Sequence, residues 1–356
     1  MRDDPVSPPS SSSVPRLAAF APRLQVLGAA ALFSTGGAAI KAVQLGGWQV
    51  ASLRSGVAAL ALLAIVPAAR RRPTVRVLAV AATYALTMIL FVLANKLTTA
   101  ASTIFLQSTA PLYVLLLSPW LLGERLRRRD LVYMAVLALG LGMLFAGLDS
   151  ASATAPDPLR GNALAALSGL TWALTIIGLR ALGRAAPPGL AGEPRRTATT
   201  VAAGVDTAPD HAAPELAARG ELWWGEAAGE AAAAAPVPRA SWAAAAAAVW
   251  GNVLACAAAL PLALPLAAGR PLDWLVIAFL GVFQIGCAYA LLTRGIGHLR
   301  ALEASLLLLL EPVLNPIWAW LAHGERPGPW ALGGGALILA ATVVQSLARV
   351  GTRLPK

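Results

Sequence analysis

Glu311 stands halfway along an apolar run at about 301–321. An ionised side chain in hydrocarbon costs about 2.5–3.5 kcal/mol on insertion scales, so this carboxyl group must be protonated, paired or facing water. Pro312 follows it, removing a backbone donor and freeing a carbonyl one turn earlier, which predicts a kink with polar backbone turned toward a cavity. Asn315 and Trp318 come four and seven residues later, on the same helical face. This set suits the handling of a substrate or a proton; a structural hydrogen bond from Glu311 to a neighbouring helix is the competing reading.

Arg54 lies inside another apolar run, at about 48–68, too deep for snorkelling to account for it easily. It can pair with Glu311 or meet an anionic group of a substrate. Lys41, near the outer end of its run, is expected to snorkel to the interface. Further polar and aromatic side chains recur in apolar context: Tyr84, Gln107, Trp172, Gln284 and Tyr289. Singly each reads as a packing or interhelical hydrogen-bonding residue. Together they can line a cavity of a few polar groups in an apolar wall, suited to an amphipathic small molecule.

Such side chains need helices that cross a bilayer. The 356 residues are 58% hydrophobic and only 13% charged, too little polar surface for a soluble chain of this length. Ten apolar stretches have the roughly 20 residues that span hydrocarbon: about 24–43, 48–68, 75–95, 100–121, 130–148, 161–182, 242–265, 272–292, 301–321 and 330–348. The net charge of +11 resides in short basic clusters between these stretches, where it reads as a topology signal and excludes nucleic acid as a partner.

One set of loops holds Arg70, Arg71, Arg72 and Arg76, then Arg125 and Arg127 to Arg129, then Arg184 and Arg239, then Arg294 and Arg300, and lastly Arg349, Arg353 and Lys356. The alternate set holds Lys96, Arg160, Arg270 and Arg326. Positive residues stay inside, so both termini are expected in the cytoplasm of a cell whose inner membrane this chain crosses. Residues 1–22 read as a disordered cytoplasmic tail. The Ala-, Pro-, Gly- and Glu-rich segment 183–240, with Trp223 and Trp224 its only aromatics, reads as a disordered cytoplasmic linker. Residues 349–356 form a second tail.

One segment occurs twice. Shifting the chain by 201 residues lays Pro111 on Pro312, Gly123 on Gly324, Glu124 on Glu325 and Arg125 on Arg326 without a gap. A looser match lays Phe33 and Lys41 on Trp172 and Arg180. Five spans, an odd number, separate equivalents, so the halves lie upside down relative to each other, with Glu124 facing the cytoplasm and Glu325 the opposite side. The fold class expected is all-α integral membrane, ten transmembrane helices as two inverted five-helix repeats. At span ends, Glu124 and Glu325 suit the fixing of loops through free amides or a neighbouring Arg, and Glu303 suits a helix N-terminus.

The residues Ser108-Thr109-Ala110-Pro111-Leu112-Tyr113 running into Gly123-Glu124-Arg125, and Leu310-Glu311-Pro312-Val313-Leu314-Asn315-Pro316 running into Gly324-Glu325-Arg326, make the chain resemble the EamA-type branch of the drug/metabolite transporter superfamily. The resemblance covers both membrane halves: 23–182 as the first EamA-like repeat, and 241–348 as the second, which span six at 161–182 begins. It implies export or exchange of a small metabolite or drug through a central cavity. The long linker departs from the usual short connection.

The reading that follows is a secondary transporter working by alternating access, with protons coupled through Glu311. Its partners are a small-molecule substrate, the lipid bilayer and protons; one chain holds both repeats, so a monomer suffices. No Gly-x-x-x-x-Gly-Lys run supports ATP binding, His211, His298 and His323 lack ligand spacing, and Cys256 and Cys287 lie inside apolar spans, so no metal or cofactor is expected. An integral membrane enzyme on lipid-linked substrates would need a catalytic cluster at a membrane face, which is not found. A transporter-derived scaffold would signal through the 183–240 loop.

Overall fold

In hydrocarbon a lipid-facing backbone must satisfy its own polar groups, so each apolar run closes its hydrogen bonds as a helix. The computed structural model describes residues 16–66, 70, 72–123, 126, 128–146, 151–184, 239–266, 269–296, 299 and 301–351. Its ten membrane-spanning helices are α1 (Ala21–Ala42), α2 (Gly47–Ile65), α3 (Val75–Leu97), α4 (Ala100–Leu121), α5 (Arg128–Ala146), α6 (Pro158–Leu182), α7 (Ala243–Ala263), α8 (Pro271–Gly295), α9 (Leu306–His323) and α10 (Pro329–Leu347). Among the described residues helix runs from Arg16 and up to Gly351, so it reaches into both segments read as tails. Most of the 183–240 linker, Trp223 and Trp224 included, lies outside the described residues, as do Arg71, Glu124, Arg125 and His298.

Helix packing repeats under a shift of five. Helix α3 packs along α6, and their equivalents α8 and α1 pack on each other; α4 packs on α6 as α9 packs on α1; α2 meets α8 as α7 meets α3. The pairs α2–α7 and α5–α10 map onto themselves. The opening helix of each repeat is thereby lodged against the third and fourth helices of the other repeat, which ties the two halves into one bundle. Five helices between equivalents, in a chain that crosses at every helix, give the halves opposite senses.

The duplicated motif has a local physical meaning. Helices α4 and α9 are each interrupted, at Ser108-Thr109 and at Leu309, just before Pro111 and Pro312. A proline ring cannot accept the preceding turn and brings no N–H, so the ladder reopens there. Each helix then ends twelve residues beyond its proline, at Gly123 (φ 69°) and Gly324 (φ 66°), in the left-handed conformation that terminates helices and favours glycine.

Candidate functional site

Interrupted helices gather round one cavity. Helix α1 breaks at Thr35 into Arg16–Ser34 and Gly36–Ala42, α4 and α9 break before their prolines, and α8 carries a π-helical segment at Leu280–Cys287. Wider turns of this kind displace side chains from the ordinary helical phase and recur at functional sites. Between these elements lies a cavity of about 350 Å³, walled mainly by apolar side chains of both halves. It reaches from mid-span to Val66, Leu179, Ala244 and Thr293, the helix ends beside the arginine-rich loops.

Two charged side chains enter the cavity without a charged partner. Arg54 is 1% exposed; its Nη2 lies 3.2 Å from the Met88 sulfur, a weak acceptor, while Nε and Nη1 have no hydrogen-bond partner among the described residues. Glu311, in the first turn of the half-helix Leu310–His323, makes no hydrogen bond or ion pair with a described residue. It faces both the main cavity and a side pocket of about 40 Å³ bounded by Gln107, Pro111 and Pro312, enough space for water beside the carboxyl group. Arg54 and Glu311 therefore share a chamber, but they do not form the direct pair considered from sequence.

An aromatic strip crosses the wall from one half to the other. Phe33 meets Tyr289 edge to face at 5.5 Å between ring centroids, Tyr289 meets Tyr84 at 6.4 Å, and Tyr84 meets Trp172 at 6.3 Å. Such pairs hold one another in defined rotamers, each contributing about 0.5–1.5 kcal/mol beyond its buried area. Asn252 Nδ2 donates to the Tyr84 hydroxyl at 3.4 Å. Gln107 Nε2 donates to Ser168 Oγ at 3.0 Å, and Gln284 Nε2 reaches the Phe33 carbonyl at the end of the first α1 segment, leaving its own Oε1 unpartnered.

The opposite face is closed by polar contacts around the Gly36–Ala42 segment of α1. Glu325 accepts the backbone N–H of Ala100 at 2.7 Å and faces Lys41 Nζ at 3.6 Å. Lys41 also donates to the carbonyls of Thr98 and Thr154, and its side chain is only 3% exposed. The expected snorkelling of Lys41 is thus overturned: the buried Glu325 carboxyl and two carbonyls hold it inward. Beyond it Asp273 accepts the Gln44 N–H, Arg270 donates to the Ala42 carbonyl, and the His323 ring contacts the Ala38 carbonyl. Burial pushes the Glu325 carboxyl up, against the opposing pull of Lys41 and the Ala100 amide.

Seven of the side chains singled out from sequence line the cavity: Arg54, Tyr84, Gln107, Trp172, Gln284, Tyr289 and Glu311. Asn315 and Trp318 do not. Trp318 Nε1 donates to Ser34 Oγ at 2.9 Å, and Asn315 is buried against Gly37, where an added Cβ would come 2.5 Å from its Oδ1. Helical phase set them on the Glu311 side, but they sit one and two turns farther along the axis, where α1 around its break at Thr35 fills the space. Glu303 pairs with Arg23 of α1. Phe33 and Met88 belong to the wall without having been singled out as site residues; the spacing match of Phe33 to Trp172 was the available signal for the first.

A search of curated proteins finds no match to this chain. A crystal structure of another protein, 19% identical, aligns over 94% of this chain and 99% of its own with a TM-score of 0.52, a likeness of fold alone. The family model described as the EamA-like transporter family matches residues 23–146 and 232–347, one stretch in each half and well over half of the chain together. With both of its duplicated stretches matched, this multi-pass membrane protein belongs to the EamA-like transporter family of the drug/metabolite transporter superfamily.

Proposed function

We propose that the protein is a secondary transporter that exports or exchanges a small metabolite or drug across the cytoplasmic membrane by alternating access, with Glu311 carrying a coupling proton. The observation that carries this reading is the cavity of about 350 Å³ between the halves, which reaches one face and is closed toward the other. A chamber of that kind, set among interrupted helices of inverted repeats, lets rocking of the halves exchange the face to which the site opens.

The cavity reaches the face of Arg70, Arg72, Arg128 and Arg294, which the charge bias makes cytoplasmic, together with both termini. On the opposite face the Glu325, Lys41 and Ala100 contacts must part before substrate can leave outward. Glu311, beside a pocket with room for water, can take up a proton in one state and release it in the other. An outward-moving substrate would then be exchanged for an inward-moving proton.

The test is counterflow of pooled metabolites in proteoliposomes, with and without a pH gradient. Wild-type protein is expected to exchange at least one pool component and to respond to the gradient. Glu311→Gln is expected to keep exchange and lose the response. Retention of the response in that variant rejects proton coupling through Glu311, and absence of counterflow by the folded wild type rejects transport.

A further inference from the structure

Arg54 poses the sharper chemical question of the two buried charges. A carboxyl group can shed its charge by taking up a proton, whereas a guanidinium stays charged in proteins. Glu311 can therefore stand without a charged partner, but Arg54 carries a charge that something must meet. Its side chain is buried, two of its three nitrogens have no acceptor among the described residues, and its hydrogen-bond contact is a thioether sulfur. Leaving buried donors unmade is costly, and a charge makes it more so.

The chamber supplies the remaining features of a binding site. Tyr84, Tyr289 and Trp172 form a continuous ring surface in the same wall, whose faces and edges suit a flat apolar body. The guanidinium edge that carries Nε and one Nη is a fork matched to the two oxygens of a carboxylate. Resting on the transport reading above, we infer that the substrate is an amphipathic organic anion: a carboxylate held by the guanidinium of Arg54, on an aromatic or apolar body laid against Tyr84, Trp172 and Tyr289.

Binding is measured by calorimetry on the full-length protein in detergent, using three probes of one shape: 3-phenylpropanoate, its neutral amide, and 3-phenylpropylamine. The acid is expected to bind at least about tenfold more tightly than the amide, the scale of a hydrogen bond to a charged group. Arg54→Gln is expected to abolish that preference and Arg54→Lys to keep part of it, with elution volume and melting confirming the fold. Because Arg54→Gln removes an unmet buried charge, it should fold at least as well as wild type. Equal binding of acid and amide, preference for the amine, no binding of the acid, or an acid preference that survives Arg54→Gln each overturns the inference. Detergent binding involves no flux, so its failure leaves the transport reading to counterflow. A failed counterflow beside an intact acid preference rejects transport instead.

Discussion

The carboxylate of Glu325 accepts the backbone N–H of Ala100 at 2.7 Å, so the repeated acidic residue of the second half caps the first turn of α4 in the first half. The same carboxylate faces Lys41 at 3.6 Å with both side chains buried. Glu325→Ala removes the cap and strands Lys41 as an uncompensated buried charge. Breaking such a pair from one side costs on the order of 3 kcal/mol, which a melting curve in detergent resolves easily. Glu325→Gln keeps an oxygen for the Ala100 amide and is expected to lose distinctly less.

The same site predicts a pH dependence. Burial holds the Glu325 carboxyl above its ordinary value of 4.5. The folded protein then binds that proton more tightly than the unfolded chain does, so stability falls as pH rises from 4.5 through the raised value. Wild type should melt higher at the acid end of that window than at neutral pH. Glu325→Gln retains Lys41 and His323 but has no carboxyl to titrate, so its profile should be flatter by the Glu325 contribution. Identical profiles for the two proteins would refute this.

At Gly37 the helices α1, α4 and α9 converge. A Cβ there would lie 2.5 Å from Asn315 Oδ1 and 2.9 Å from the Ala100 Cβ, inside any real contact distance. Gly37→Ala is expected to cost about 1–3 kcal/mol through overpacking. Adding Asn315→Ala removes the nearer clash, so the double variant should recover part of the loss in a double-mutant cycle. Strict additivity of the two changes would mean that Asn315 does not press on Gly37.

The indole of Trp318 distinguishes a packing role from a substrate role. Its Nε1 donates to Ser34 Oγ beside the break in α1, outside the cavity wall. Trp318→Phe keeps most of the ring and loses about 1 kcal/mol of hydrogen bonding. Melting should drop slightly while ligand affinity is unchanged. A large loss of affinity with normal melting would return Trp318 to the site.

How much of this was legible in the chain depended on the kind of signal. Polar and aromatic groups in apolar runs mark themselves, because hydrocarbon penalises them, and Arg54, Gln107, Gln284 and Glu311 do reach one cavity. Ten spans and two repeats were legible for the same reason, together with the Pro-to-Gly spacing. Asn315 and Trp318 were set on the cavity side because helical phase fixes an angle about the axis, not a neighbour at a given depth. Lys41 looked like an interfacial anchor because its counter-charge comes from Glu325, at the far end of the other repeat. Met88 carries no sequence signal, since a methionine in an apolar run is ordinary until a guanidinium is found beside it.

The glycines that close the two motif copies allow a test of the repeat itself. Gly123 and Gly324 share nearly the same positive φ, 69° and 66°, and a Cβ at either would meet nothing within 4 Å among the described residues. Space is therefore not the constraint; backbone conformation is. An L side chain in that region costs roughly 1–2 kcal/mol, and with no neighbours to add or relieve strain the two positions should pay alike. Gly123→Ala and Gly324→Ala are each expected to lower stability by about that amount, additively when combined, since the two sites cap separate helices at opposite ends of the bundle. A marked inequality between them would show that one copy does more than end its helix, and the opposing repeat would then have to be searched for what it contacts.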